Sequence, residues 1–548
     1  MHLASLVEWW LWYFHFTIFR GRAFLFPIRI YDLFEQPLTD RILEPSCGDG
    51  VFLESLIDQK VPAECVAIEQ VTEEAEKAKS RTNLMSNIQV LNEDFFWIFN
   101  DKLAHEKFDL VLGNPPFIRY QYLSPEQREI QSKILINNGM KSNKLINSWV
   151  SFLVASVQLL SDEGRIAMVI PAELLQVAYA HDLRLFLTRM LSKITVITFE
   201  ELVFPDVQQE IVLFLGEKSK GFECRNECEI SIVQAKNAEC LDNIWDFTHV
   251  EYKYVNHETE KWTLYLLNNK EVQLVDSIRH DDRFIDFSSI AKIDIGITTG
   301  NNKFFSVSKD VVNQYSLDSV TLPLIGRSSH AHGLIFTKED WVNNVDRGSD
   351  AFLLNFPDVP FEHYPTGHKE YIQHGEEMEE NLGYKCRIRE RWYRVPSIWV
   401  PDAFFLRRNN NFPKFVLNGI DAVSTDTMHR LKFNAGISPR RALLSYYNSI
   451  TLAFTEIEAR SYGGGVLEIL PGELERVRIP DLSGMDENTV DMLLDKIDRS
   501  IREKGDFIGT LNLVDKTVLI DFLGVDERTV KGFRQIWMTL MFRRQNRK

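Results

Sequence analysis

Residues 108–117 read Phe-Asp-Leu-Val-Leu-Gly-Asn-Pro-Pro-Phe, an apolar run with the look of a buried strand that passes straight into Asn114-Pro115-Pro116-Phe117. Two successive prolines fix the backbone and withhold their N–H groups, so this strand end offers carbonyls that can only accept hydrogen bonds. Such a site suits an amino group. An exocyclic amine such as adenine N6 is planar and conjugated, hence a poor nucleophile. If the Asn114 side-chain oxygen and the Pro115 carbonyl each accept one of its hydrogens, charge density rises on the nitrogen, and the positive charge that emerges as it attacks carbon is stabilised. No general base of perturbed pKa is needed first. Phe117 would lie against the target ring, where stacking on one base is worth about 1–3 kcal/mol. The bland alternative is an ordinary turn after a strand.

Residues upstream favour the chemical reading. The strand at Ile42-Leu43 ends in Glu44-Pro45-Ser46-Cys47-Gly48-Asp49-Gly50, with a helix expected from Phe52. Glycines at that junction let the backbone turn tightly and approach a nucleotide-like cofactor. Glu69 ends the next strand 25 residues on, where a carboxylate can accept two hydrogen bonds from ribose hydroxyls. Asp94, followed by Phe95, comes 25 residues later beyond a further apolar run. Three strand ends thus each offer a carboxylate, although three surface acids would be unremarkable in a chain with 78 Asp and Glu.

The elements that must position these groups alternate. Short apolar runs at 41–43, 66–68, 88–91, 108–112 and 166–170 are separated by amphipathic segments at 52–57 and 72–81, and 149–160 reads as a covering helix. This spacing predicts an α/β fold with a parallel sheet covered by helices on both faces. After about residue 220 the rhythm breaks into turn-rich segments, and a helical tail follows from Asp486. Four parts are expected: an apolar segment over 1–20, a catalytic domain over 21–240, a second domain over 241–485 and a helical extension over 486–548.

Composition sets the outer limits. A chain of 548 residues exceeds what one core organises, and 45% hydrophobic with 26% charged residues excludes fibrous and disordered classes. Six cysteines are too few for a disulfide scaffold and point to a reducing cytoplasm. Net charge −16 argues against a polybasic coat for nucleic acid, yet an acidic protein can present a basic cleft. Leu3 to Phe19 is the most apolar stretch, but Glu8 and His15 interrupt it and it is shorter than the roughly 20 residues that span a bilayer. A core or partner-facing helix, or a misassigned start, is expected there, with neither membrane anchor nor signal peptide.

The glycine turn, the spaced acids and Asn-Pro-Pro-Phe together resemble the gamma class of N6-adenine DNA methyltransferases from bacterial restriction-modification systems. The resemblance is specific over 21–217 and looser over 290–480. It implies a Rossmann-like class I methyltransferase domain, with a mostly parallel seven-stranded sheet, followed by a mixed α+β target-recognition domain. It implies S-adenosylmethionine as methyl donor, with Glu44, Ser46 and the Gly48–Gly50 turn near its methionine part, Glu69 on the ribose, and Asp94 and Phe95 at its adenine. Asn114, Pro115, Pro116 and Phe117 match the catalytic motif, and Phe204 matches a second aromatic against a flipped base. One departure is Gly21-Arg-Ala-Phe-Leu-Phe26-Pro27, where the family's Gly-x-x-x-Thr-Pro element is one residue shorter and has threonine in place of Phe26.

The implied partner is double-stranded DNA, from which the target base must be extruded at a cost of a few kcal/mol. Residues 385–408 hold Lys385, Arg387, Arg389, Arg391, Arg394, Arg407 and Arg408 against only Glu390 and Asp402, a candidate phosphate contact or else a solvated strand face. By resemblance, loops at 296–305, 324–327 and 461–465, the last carrying Tyr462, approach DNA. A monomer with a separate cognate endonuclease is expected. Cys224, Cys228, Cys240 and His249 match no common zinc spacing, and no metal is expected. Cys47 has no histidine partner in the motif and reads as a small filler. The alternatives are methylation of another planar nitrogen, in ribosomal RNA or a protein glutamine, or a DNA-binding protein that has lost turnover.

Overall fold

A computed structural model of the chain describes residues 41–58, 60–61, 63–142, 146–201, 210–221, 228–237, 250–255 and 261–546. It divides into two compact units, one running to Val272 and the other from Gln273 to Gln545. The first unit therefore extends past 240, taking in a strand at Lys253–Tyr254 and a turn at Trp262–Leu266, while the helices over 487–545 fall in the second.

The first unit is built on a nine-stranded sheet of order β3-β2-β1-β4-β5-β7-β6-β8-β9. Its strands are β1 (Arg41–Glu44), β2 (Glu64–Ile68), β3 (Ile88–Leu91), β4 (Phe108–Gly113), β5 (Leu160–Pro171), β6 (Lys193–Phe199), β7 (Ile211–Glu217), β8 (Glu229–Ala235) and β9 (Lys253–Tyr254). The first five strands pair in parallel. Between them run α1 (Val51–Asp58), α2 (Thr72–Thr82), α3 (Phe95–Asn100), α4 (Pro125–Asn137) and α5 (Ser148–Gln158), and α6 (His181–Met190) joins β5 to β6. β7 lies antiparallel between β5 and β6. Only about ten residues join β6 to β7, too few for the crossover a parallel neighbour needs. The seven strands expected are all present, and β8 and β9 extend the β6 edge.

Alternate residues of the strands feed two cores, as the period-two geometry of a sheet buried on both faces requires. Leu43, Val111, Ile166 and Met168 join one with Trp149 and Leu153 of α5; Ile42, Leu110, Leu112 and Ala167 join the other with Leu53 and Leu56 of α1. Helix starts are encoded locally. The Asp94 carboxylate caps α3 by accepting from the Phe96 N–H (2.8 Å), and Ser124 with Gln127 forms a capping box around Pro125 at the head of α4.

The second unit is mixed α and β, as expected. A five-stranded sheet is formed by Ala291–Ile295, Met428–Phe433, Ala403–Leu406, Phe415–Asn418 and Ile335–Phe336, accompanied by smaller sheets of four, three and two strands. Helices Ser449–Glu458 and Glu527–Gln545 pack closely together, with Phe454 stacked on Phe533.

Candidate active site

In the first unit the strand order reverses between β1, whose neighbour on one side is β2, and β4 on the other. Ligands of open α/β sheets bind beyond the carboxyl ends of strands at such a reversal. The loop after β1 and the loop after β4 both leave there. A side chain at Gly113 would meet the Pro45 ring at 3.6 Å and Glu44 Cγ at 3.9 Å, so the two loops lie side by side. The Ser46 hydroxyl donates to the Asn114 carbonyl (3.3 Å), tying the glycine turn to the Asn-Pro-Pro-Phe segment.

That segment is fixed at its other end by α5. Ser148 Oγ donates to the Pro116 carbonyl (2.6 Å) and accepts the Ile118 N–H (3.0 Å), and the Ser148 N–H donates to the Ile118 carbonyl (2.9 Å). The Pro116 carbonyl is therefore engaged. Neither the Asn114 side-chain amide nor the Pro115 carbonyl has a hydrogen-bond partner among the described residues. Phe117 is half-buried against both cores, which holds its ring in place. Ser148 lies 30 residues beyond Ile118, and no spacing or motif marked it in advance.

The acids behave differently from one another. Glu44 is fully buried, and among the described residues neither carboxylate oxygen has a hydrogen-bond partner. Burial, then the charges of Glu69 and Asp49, push its carboxyl well above the usual range. Glu69 is buried too, but its oxygens accept the Gly48 N–H (2.9 Å) and the Val71 N–H (2.7 Å), so it shapes the glycine turn as well as facing it. Burial still raises its carboxyl, against the lowering effect of those donors. The Asp94 oxygen not used in capping accepts from the Gln127 side chain (3.1 Å). Phe95 is deep in the core, its ring stacked on Phe152 at 5.2 Å between centroids. Cys47 is a buried thiol whose pKa burial and Glu44 raise, the opposite of an activated nucleophile.

Residues 51–204 match the Eco57I restriction-modification methylase family, and residues 259–519 match the C-terminal domain of Type II methyltransferase M.Eco57I. The chain belongs to the restriction-modification methylases. This methylase is 28% identical over 472 residues to Type II methyltransferase M.AccI of Acinetobacter calcoaceticus, covering 83% of each chain. It is 24% identical over 520 residues to Type II methyltransferase M.BstVI of Geobacillus stearothermophilus, covering 83% of this chain and 88% of that one. Its fold matches that of the Type IIL restriction-modification enzyme MmeI, solved in complex with DNA, with TM-score 0.59 and 12% identity, over 96% of this chain and 78% of the other.

The cofactor of the methylase is S-adenosylmethionine, and the residues at the strand reversal fit it. A buried, unpartnered carboxylate is costly unless something positive meets it. Glu44 is such a carboxylate among the described residues, and the methionine ammonium would be a fitting partner for it. Gly48 and Gly50 take positive φ (54° and 87°), and a Cβ at Gly50 would stand 3.0 Å from Ala78 Cα, so the turn can pass this close to α2 only without side chains.

Other expected site residues are distributed as follows. Phe204, Phe26 with the segment around it, Cys224, Cys240 and His249 lie outside the described residues. Cys228 is a buried thiol, and no cluster of metal-binding side chains occurs among the described residues. No helix among them is long and apolar enough to cross a membrane.

In the second unit, Tyr384–Arg387 is a short helix and 388–402 has no strand, so the alternative of a strand face fails for Lys385, Arg387, Arg389, Arg391 and Arg394, whereas Arg408 lies in the strand Arg408–Asn409, paired with Val466–Glu468. Arg391 and Arg394 both pair with Asp358, Arg407 and Arg408 both pair with Glu468, and Arg389 donates to the Thr298 carbonyl (3.1 Å). Lys385 and Arg387 are exposed without an ion pair among the described residues. A Cβ at Gly300, whose φ is 87°, would collide with Lys385 Cβ at 2.8 Å, so the 296–305 loop lies directly under this basic segment. Tyr462 is 39% exposed, at the end of the strand Arg460–Tyr462.

Proposed function

We propose that this methylase transfers the methyl group of S-adenosylmethionine to N6 of an adenine flipped out of duplex DNA, as the modification enzyme of a restriction-modification system. The observation that carries the reading is the pair of open acceptors, the Asn114 amide oxygen and the Pro115 carbonyl, at the strand reversal. When bound, the cofactor supplies an electrophilic methyl group on a sulfonium.

The chain's part is to bind and polarise. Glu44 meets the methionine ammonium, the Ser46–Gly50 turn passes close to the methionine part, Glu69 accepts from the ribose, and Asp94 with Phe95 bounds the cofactor's adenine. Asn114 and Pro115 each accept one N6 hydrogen of the target base and draw electron density onto that nitrogen. The ring of Phe117 supports the flipped base from one face and that of Phe204 from the other. Pro116 contributes rigidity, since its carbonyl is held by Ser148. In the second unit, Lys385, Arg387, Arg389, Arg391, Arg394 and Tyr462 contact DNA, the two unpaired cations reaching phosphates most readily. The nuclease of the system is a separate protein.

The same acceptor pair would serve a base in ribosomal RNA or a glutamine amide, so the test must identify the methylated atom. With labelled S-adenosylmethionine and duplex DNA, RNA or protein offered in turn, label is expected on adenine N6 in DNA. Asn114→Ala should lower transfer at least about 100-fold, the scale of losing one polarising hydrogen bond at a reacting centre. Cofactor affinity should stay within a few-fold. Label only in RNA or glutamine defeats the reading, and near-normal turnover in the variant defeats the motif assignment.

A further inference from the structure

Immediately after Phe117 the chain makes a turn, Tyr120–Tyr122, whose backbone is secured from several sides. Arg119 bridges to Asn147 beside the Ser148 hydrogen bonds, and the Tyr122 N–H donates to the Arg119 carbonyl (2.9 Å). From α4, Arg128 donates to the carbonyls of Tyr120 (3.0 Å) and Gln121 (2.8 Å), with its guanidinium over the Tyr120 ring. A surface arginine spent on two backbone carbonyls makes the turn a fixed mount. What the mount presents outward is Arg119, Gln121 and Tyr122, Tyr122 being 60% exposed. None of the three side chains has a hydrogen bond or ion pair among the described residues.

The carboxylates in this part of the chain are already engaged. Glu126 accepts from the Ser124 hydroxyl (2.9 Å), Glu129 pairs with Lys133 (2.7 Å), and Asp94 caps α3 and accepts from Gln127. The Arg119 charge is thus left uncancelled two residues from the ring on which the target base would rest. Two residues span at most about 7 Å even when extended, and the arginine stem adds further reach. A nucleotide flipped onto Phe117 brings its flanking phosphodiesters with it, and the guanidinium fork matches a phosphate bidentately.

We propose that the turn Arg119–Tyr122 is a phosphodiester-binding subsite for the strand that carries the target nucleotide, with Arg119 on a phosphate adjoining that nucleotide and Tyr122 against the neighbouring sugar or base. It rests on the adenine reading above and adds to it a contact made by the catalytic unit itself. The cations and Tyr462 proposed above for the second unit would then set the register of the duplex, while this turn holds the distorted strand.

The test begins by locating the modified site, by sequencing N6-methyladenine in plasmid DNA exposed to the full-length enzyme. Duplexes of that site are then made with single phosphates near the target replaced by neutral methylphosphonates, and binding is followed by fluorescence anisotropy over a salt series. One neutral linkage adjoining the target should weaken wild type on the order of tenfold. Arg119→Gln should lose a similar factor on unmodified DNA, show a log–log salt slope shallower by about one, and no longer respond to that linkage. Arg119→Lys should restore the slope, and Tyr122→Ala should weaken binding with the slope unchanged. Cofactor affinity by calorimetry should be the same in all of them. An Arg119→Gln protein with wild-type affinity and slope, or one still sensitive to the neutral linkage, overturns the assignment. If wild type methylates adenine but no linkage matters, this inference alone falls; if it methylates no adenine in any duplex, the adenine reading falls and this one with it.

Discussion

Glu44 is the residue whose circumstances are least comfortable. It is fully buried, both of its oxygens lack a partner among the described residues, and Glu69 and Asp49 add negative charge around it. A carboxyl whose folded pKa lies above its unfolded value supports the fold while protonated. That support is present below the ordinary carboxylate pKa of about 4.3 and is lost as pH rises through the folded value. The ligand-free enzyme should therefore lose stability as pH rises above the ordinary carboxylate range, and Glu44→Gln should remove much of that dependence. If the carboxylate meets an ammonium, binding favours the ionised form, so cofactor affinity should rise with pH across the raised pKa and calorimetry should detect proton release. Glu44→Gln should weaken the cofactor by at least about tenfold, or 1.4 kcal/mol, and abolish that release. A variant with unchanged affinity would remove Glu44 from the cofactor site.

The element that decides how closely a ligand can approach is the turn between β1 and α1. Gly50 has φ 87°, and the contact an added Cβ would meet is the backbone of Ala78 in the middle of α2, which cannot give way as a flexible side chain could. Gly50→Ala therefore combines left-handed strain with a clash. It should cost about 1–3 kcal/mol in denaturant unfolding and reduce cofactor affinity together with it. An alanine variant of full stability and affinity would show that the turn is not constrained this way. Much at this scale was legible in the sequence: β3 is where the apolar run at 88–91 put it, and β1, β2, β4, α1 and α2 differ from expectation by one or two residues. β5 is the exception. Its strand begins at Leu160 where a helix was expected to end: Ser161-Asp-Glu-Gly164 carries no apolar pattern, and the register with β4 breaks across it, Phe108 facing Leu160 and Leu110 facing Arg165.

At the scale of the molecule, the second unit is closed by its last helix. Arg544, almost wholly buried, pairs with buried Glu456 through two contacts (2.7 and 3.2 Å) and also donates to the carbonyls of Asn410 and Gly465. One guanidinium thus joins the C-terminal helix, the Ser449–Glu458 helix and the glycine loop beside Tyr462. Burial raises the Glu456 carboxyl even with that arginine in place, so the pair is sustained only by complete pairing. Arg544→Met should destabilise the second unit by about 3–5 kcal/mol in chemical denaturation, and adding Glu456→Leu should recover most of the loss. A single variant as stable as wild type would show that the carboxyl is content without its partner. The tail 542–548 reads in sequence as a frayed basic end, whereas Arg544 within it is a buried tie.

The sequence by itself determined the α/β rhythm, the glycine turn, the three acids at strand ends and the run of acceptor groups at Asn114–Pro116, because each is written in consecutive residues whose periodicity or backbone chemistry is local. Tertiary structure alone decided which of those groups remain open. Ser148, 32 residues away, takes the Pro116 carbonyl, and among the described residues that of Pro115 is left free; Asp358 and Glu468 claim four of the seven cations at 385–408; Gly48 and Val71 each donate to one oxygen of Glu69, while among the described residues Glu44 receives no donor. A side chain's chemical type is fixed by its codon, but whether its charge or lone pair is available depends on neighbours brought in by strand order and packing, and those contacts are set by the free energy of the whole fold.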